Sequence, residues 1–169
     1  TIGIENTSLF SLFANVFAFK RFKGYMKNTA NIVEWSSRDE NVHAQAGIYL
    51  INKVFEENPE IREKYTQDNI VKLMYEYIKV EQELLDWVYE DGELEFFTKT
   101  DMINFMKWRL DDALIKMGFD KVFNVSMTEY KPMQWFEEEL AVDALQDFFA
   151  SRPVDYTKHE AGFTSDDLF

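Results

Sequence analysis

The stretch WSSRDENVHAQAG, residues 35–47, places Glu40 three residues before His43, one of only two histidines in the chain. Residues three apart on an α-helix lie on the same face, so both side chains can reach one ion. Glu-x-x-His is a recurring ligand pattern in helical bundles that hold metal ions in their cores. Alone the pattern is weak evidence, because an ordinary solvated pair of helix side chains has the same spacing.

Composition narrows the class of protein around this stretch. The chain has 169 residues, 46% of them hydrophobic and 17% aromatic, which predicts one folded unit with thick, buried packing faces. A formal charge of −13 argues against nucleic acid or an anionic membrane as the main partner. Because the chain has no cysteine, a bound metal must take oxygen and nitrogen ligands.

Apolar runs such as SLFSLFANVFAF are interrupted by Lys20 and Arg21, too soon for a membrane span or a cleavable signal. We therefore expect a cytoplasmic protein. Only six glycines and three prolines occur, and apolar residues recur at spacings of three and four, which predicts an all-α fold. The predicted helices cover about 4–26, 29 or 31–57, 59–89, 98 or 100–117, and 133–149. We expect residues 1–150 to form the helical unit and 151–169 to form a mobile, acidic tail.

The helix that carries Glu40 and His43 is expected to be covered on several faces. Apolar residues recur around it at Trp35, Val42, Ala46, Leu50 and Val54. A buried glutamate must be paired or bound to a metal, so this burial would strengthen the ligand interpretation.

Glu5 is the candidate ligand on the preceding helix. If the chain reverses at residues 24–28, Glu5 lies roughly 28 to 30 Å from the turn and Glu40 roughly 20 to 24 Å, at 1.5 Å per residue. The two carboxylates are then within about one or two helical turns in height. The alternative is that Glu5 only decorates a first helical turn, where the helix dipole favours acids.

Three segments resemble the small, radical-generating subunit of class I ribonucleotide reductase. SRDENVHAQAG resembles the second ligand motif of that family, ENTSLFSLFANVFAF the Glu-led aromatic helix before it, and GFTSDDLF its acidic, Phe-terminated tail. ELLDWVYEDG and PMQWFEEEL continue the likeness through essentially the whole chain. The resemblance implies the carboxy-terminal part of a ferritin-like helical bundle.

The resemblance also implies residue roles. Glu5, Glu40 and His43 would be ligands of a dimetal centre, with two iron ions expected and manganese as the alternative. Asp39 would lie in the second coordination sphere and orient a histidine ligand. In the tail, Tyr156 would pass the radical toward the large catalytic subunit. The tail residues implied as anchors on that subunit are Phe163, Leu168 and Phe169.

The chain departs from the family pattern in its first half. The family's first ligand motif carries an Asp, a Glu and another Glu-x-x-His, and it is absent from this chain. Three of the six implied ligands are therefore present. Gly47 stands one turn after His43, where the first motif would carry the radical tyrosine. We therefore expect a separate amino-terminal polypeptide to supply the remaining ligands and to cover the apolar first helix, whose faces would otherwise lie partly exposed.

The resulting prediction is a fragment of the small subunit of ribonucleoside-diphosphate reductase. It would contribute half of a centre that activates O2 and delivers a radical for ribonucleotide reduction, as part of a dimer of small subunits. One alternative is another ferritin-like di-iron oxidase, which would have no use for the tail. The other is an inactive half-bundle that serves as a scaffold, in which Glu40 and His43 would be relics.

Overall fold

The computed structural model describes residues 2–144, with side-chain burial given through residue 140. Helices account for most of this range and no strand occurs in it, so the predicted all-α class is confirmed. A π-helical turn, Ile4–Ser8, opens the chain and leads into α1. The helices are α1 (Leu9–Ala18), α2 (Lys27–Glu57), α3 (Pro59–Lys64), α4 (Gln67–Val88), α5 (Lys99–Lys116) and α6 (Met127–Ala144).

The first helical stretch ends slightly earlier than predicted. A second π-helical turn, Phe19–Lys23, follows α1 and ends at Gly24, whose φ of 68° lies in the left-handed region that glycine tolerates. Met26 is also left-handed, and α2 begins directly after it at Lys27. The expected N-caps at Thr29 or Asn31 are therefore wrong.

The predicted helix 59–89 is two helices. Backbone geometry breaks at Tyr65, and Thr66 caps α4 by accepting a hydrogen bond from the backbone of Asn69, whose side chain bonds back. This reciprocal capping box satisfies amide groups that a new helix start leaves free. Prediction was better at α5, where Thr98 forms the same box with Asp101 and Gly118 follows the helix end at φ 77°.

The last helix starts earlier than predicted, at Met127 instead of 133. Ser126 and Glu129 exchange capping hydrogen bonds ahead of it, a signal that the sequence prediction passed over. The predicted end at residue 149 lies outside the described residues.

Helix α5 lies at the centre of the fold. It packs against α1, α4, α6 and the first π-helical turn, Ile4–Ser8, which is called the π turn from here on. Helix α2 packs along α1 and the same π turn. Aromatic side chains fill the space between these helices, and the predicted thick aromatic core is present. Its fully buried large members include Phe17, Phe105 and Phe136 with Leu85, Met102, Met106, Leu110 and Met133.

Exposure of apolar side chains bears on two expectations. No residue from Glu5 to Lys20 is fully exposed, but Leu9, Leu12, Phe13 and Val16 are only half-buried, so the first helix is partly covered within this chain. Helix α2 instead presents open apolar side chains, with Trp35 63% and Val42 64% exposed. Leu50 and Val54 are exposed as well, so the expected coverage of α2 on several faces is wrong for this chain.

No helix among residues 2–144 is both long and apolar enough to cross a membrane.

Asp111 anchors the connection between α5 and α6. Its carboxylate is 3% exposed and accepts backbone hydrogen bonds from Val122, Phe123 and Asn124 at 2.8, 3.0 and 2.7 Å. Hydrogen bonds to a charged acceptor are stronger than neutral ones, and three of them fix the path of this loop.

We expect Asp111→Ala to lower the free energy of unfolding by about 2 to 4 kcal/mol, because three backbone amides lose their charged, buried acceptor. Asp112→Ala is the matched control, since Asp112 is 53% exposed and forms a surface ion pair with Lys116. That change should cost under about 1 kcal/mol. Urea denaturation measures both, and equal losses would contradict the anchoring role.

Candidate metal centre

Glu5 projects from the π turn at the start of the first helix. In this turn the amides of both Thr7 and Ser8 donate to the carbonyl oxygen of Gly3, at 3.2 and 3.0 Å. A π-helical turn adds a residue to the helix and often marks a functional site. Glu5 is half-buried, and its Oε2 atom is buried with no hydrogen-bond partner among residues 2–144.

Glu40 and His43 come from the middle of α2. His43 Nδ1 lies 3.1 Å from Glu40 Oε2, which is the contact that their spacing predicts. The Glu40 side chain is 22% exposed and that of His43 is 51% exposed. This part of the site therefore lies on the open side of α2.

The fold brings the three candidates together. Glu5, Glu40 and His43 each offer one ligand atom, and these atoms lie within 4.8 Å of one another. Two carboxylates and an imidazole suit iron or manganese, which accept oxygen and nitrogen donors. Because buried polar atoms normally have a partner, the unsatisfied Oε2 of Glu5 fits a position that faces a cation.

The charges around His43 raise its pKa. The main cause is the hydrogen bond to Glu40; desolvation opposes it, and the negative charges of Glu40, Asp39 and Glu5 act in the raising direction. The site is therefore a place where positive charge is favoured.

The other predicted residues are less defined by the structure. Asp39 is exposed and near enough to His43 for its charge to act on the ring, but its role in orienting a histidine stays a prediction. Tyr156, Phe163, Leu168 and Phe169 lie outside the described residues. The boundary between the helical unit and the tail, predicted at residues 150 and 151, lies outside them too.

Sequence reasoning missed two groups of residues that hold the π turn. Tyr77 of α4 donates to the Gly3 carbonyl at 2.6 Å, and Ser8 donates to Glu81 Oε1 at 2.5 Å. Arg109 of α5 donates through Nε to the Asn6 carbonyl and through Nη2 to Asn6 Oδ1. A charged residue on the apolar face of α5 was the available signal, since Arg109 stands between Phe105 and Leu110.

Proteins that bind metal ions within helical bundles gather carboxylates and histidines from neighbouring helices at one place. The helical bundle and the cluster of two carboxylates and a histidine in this chain match that class. Comparison with known proteins specifies the class further. The family model for "Ribonucleotide reductase, small chain" matches residues 1–132, and the chain belongs to that family.

Individual relatives agree with this assignment. A protein of Invertebrate iridescent virus 3 described as a probable ribonucleoside-diphosphate reductase small subunit is 27% identical over 164 residues, covering 96% of this chain and 42% of the relative. The ribonucleoside-diphosphate reductase subunit beta of Chlamydia pneumoniae is 26% identical and covers 92% of this chain and 43% of the relative. This chain thus spans less than half the length of these relatives.

A solved structure confirms the fold. A protein of Bacillus halodurans described as a class I ribonucleotide reductase superposes with a TM-score of 0.72 at 17% identity, covering 81% of this chain and 48% of that one. The expected ferritin-like helical fold is confirmed.

We expect Glu40→Gln to lower the pKa of His43 toward its ordinary value, because the largest cause of the shift is the hydrogen bond to the Glu40 carboxylate. An NMR titration of the His43 ring in metal-free protein measures this. Glu56→Gln, on the same helix but paired with Lys53, is the control and should leave the titration unchanged. An unaltered His43 titration in Glu40→Gln would contradict the assigned contact.

Proposed function

We propose that this chain supplies half of the dimetal site of a ribonucleotide reductase small subunit. The observation that carries the proposal is the convergence of ligand atoms from Glu5, Glu40 and His43 within 4.8 Å. Membership of the family and the agreement of the fold support it.

Each residue has a defined part in this proposal. Glu5 and Glu40 offer carboxylate oxygens and balance the positive charge of the metal ions, and His43 offers a ring nitrogen. Bound there, two iron ions, or manganese in their place, supply the activation of O2 and the one-electron oxidation on which radical generation depends. Asp39 is proposed to orient a histidine ligand, since an acceptor beyond the ligands fixes the tautomer of the ring.

The remaining ligands are proposed to come from polypeptide outside this sequence. Three donors leave two metal ions short of protein ligands, and the relatives are more than twice as long as the part that matches. The exposed apolar side chains of α2 lie on the same helix as Glu40 and His43. Exposed apolar patches of this kind mark protein interaction sites, so helices that bring ligands would also cover this surface.

The tail is proposed to serve the partner that carries out ribonucleotide reduction. Tyr156 would pass the radical toward the large catalytic subunit, and Phe163, Leu168 and Phe169 would anchor the tail there. The likeness of GFTSDDLF to the tails of the family supports this proposal. A dimer of small subunits in the cytoplasm is proposed on the same ground.

Glu5→Gln tests the metal site. In metal-free protein we expect the melting temperature to rise by about 2 °C, since one charge leaves a cluster of carboxylates, and the stabilisation by added Mn(II) to disappear. Mn(II) protects the native state only when the native state binds it. Differential scanning calorimetry with and without Mn(II) measures both effects.

Glu60→Gln is the control, because Glu60 is an exposed glutamate in the first turn of α3 and its removal changes the net charge equally. It should keep the response to Mn(II). Equal Mn(II) stabilisation of wild type and Glu5→Gln would exclude Glu5 as a ligand. Anomalous scattering at the iron edge can be measured in the complex with the remaining polypeptide. No signal near Glu5, Glu40 and His43 would favour the alternative of an inactive half-bundle that serves as a scaffold.

Deleting residues 151–169 tests the tail. We expect the truncated protein to keep its metal binding, because all three ligands precede residue 44, and to lose binding to the large subunit. Surface plasmon resonance against the large subunit and a metal assay measure the two properties. Retained binding to the large subunit would contradict the role of the tail.

A further inference from the structure

The π turn Ile4–Ser8 is held from two sides by side chains of other helices. Glu5 lies within this turn, and its buried Oε2 has no hydrogen-bond partner in the described part of the chain. The carboxylate therefore takes its place from the backbone that carries it. Whatever fixes the backbone on both sides of Glu5 also fixes the distance of its carboxylate from Glu40 and His43.

Tyr77 holds the backbone before Glu5. Its hydroxyl donates to the Gly3 carbonyl at 2.6 Å, the same oxygen that accepts the two amides of the π turn. Ser8 donates to Glu81 Oε1, and its hydroxyl oxygen lies against the hydroxyl oxygen of Tyr77, so α4 holds both ends of the turn.

Gly3 makes this approach sterically feasible. A Cβ atom added at Gly3 would lie 2.8 Å from Cε2 of Tyr77, a distance that real Cβ atoms essentially never show. The ring thus lies directly against the glycine backbone. Only a residue without a side chain lets the Tyr77 hydroxyl reach this carbonyl without displacement of the ring.

Arg109 holds the backbone after Glu5. Its Nε donates to the carbonyl of Asn6, its Nη2 donates to Asn6 Oδ1 at 3.0 Å, and the Asn6 side chain donates back to the Arg109 carbonyl at 3.2 Å. The guanidinium is itself fixed, since it lies 3.9 Å from the ring centre of Phe10 and pairs with Glu137 at 2.7 Å. Helix α5 therefore fixes the residue that directly follows Glu5.

We propose that Tyr77 and Arg109 are positioning residues that clamp the π turn at Gly3 and Asn6 and thereby set the place of the Glu5 carboxylate. Neither residue is a ligand in this proposal. The clamp on the turn stands on hydrogen bonds and packing alone, whereas its consequence for metal binding rests on the proposed function. Positioning residues of this kind commonly change metal affinity by about 10- to 100-fold when they are replaced.

Tyr77→Phe tests the clamp, because it removes the hydroxyl and keeps the ring against Gly3. Tyr89→Phe is the matched control. Tyr89 directly follows the last residue of α4, is buried, and donates to Asn15 of α1 at 2.7 Å, away from the π turn. Each substitution removes one hydroxyl that bonds to the first helical stretch. A merely structural role would therefore affect both variants alike.

Two readouts separate the outcomes. In metal-free protein, amide hydrogen exchange of Thr7 and Ser8 should become about 3- to 10-fold faster in Tyr77→Phe, the effect of losing one hydrogen bond, and stay unchanged in Tyr89→Phe. The dissociation constant for Mn(II), measured by electron paramagnetic resonance per folded protein, should rise about 10-fold in Tyr77→Phe only. Gly3→Ala, which displaces the Tyr77 ring, should reproduce both changes.

Unchanged exchange at Thr7 and Ser8 in Tyr77→Phe, or equal loss of Mn(II) affinity in both tyrosine variants, would overturn the proposal. Absence of Mn(II) binding by the wild-type chain in complex with the remaining polypeptide would instead overturn the proposed metal site. Selective exchange in that same protein would still establish the clamp, so the two failures are distinguishable.

Discussion

The buried guanidinium of Arg109 is the interaction on which the rest of the structure depends. It connects α5 with the π turn, with α6 through Glu137 and with the Phe10 ring of α1. Burial lowers the pKa of Arg109, while the negative charge and hydrogen bond of Glu137 oppose that shift. A buried charge is tolerated only when it is paired and hydrogen-bonded, and Glu137 supplies the pairing while Asn6 supplies hydrogen-bond acceptors. Removing the Glu137 carboxylate would leave an uncompensated charge at the centre of the bundle.

The same region combines polar groups that have hydrogen-bond partners with one buried oxygen that has none among the described residues. Around the π turn, the Gly3 carbonyl, the Asn6 side chain and the Ser8 hydroxyl are all hydrogen-bonded. Glu5 Oε2 between them is buried without a partner among the described residues. Folded proteins keep such local conflicts mainly at functional sites and offset them elsewhere. The turn thus carries a carboxylate with an unsatisfied oxygen on a backbone that is otherwise hydrogen-bonded to other helices.

Sequence periodicity was sufficient for the parts of the fold that depend on local signals. Thr98 marks the start of α5 and Gly118 follows its end, and both could be predicted because a threonine cap and a left-handed glycine act within a few residues. The break at Thr66 was missed because residues 59–89 have helical periodicity throughout, and the capping box with Asn69 competes with it only locally. Burial was predicted least well, since an apolar residue such as Trp35 shows no difference in sequence between a buried and an exposed face.

The candidate site divides in the same way. Glu40 and His43 follow from a spacing of three, and Glu5 follows from the rise of a helix and the position of one turn. The clamps do not follow, because Arg109 and Asn6 are 103 residues apart and Tyr77 and Gly3 are 74 apart. Contacts of that separation depend on how the helices pack, which local patterns leave undetermined.

The distribution of exposed apolar side chains indicates which side of the site this chain completes. From Glu5 to Lys20 no residue of the first helical stretch is fully exposed, and α2 and α5 pack against it, so the Glu5 side of the cluster is supported within the chain. The α2 side is open, with His43, Trp35 and Val42 all more than half exposed. If the proposed dimetal site forms here, it must exclude water, and the open side is where the proposed further polypeptide would pack. Under the same proposal, Glu5 would be held in place before assembly, and Glu40 and His43 would stay accessible to the helices that close the site.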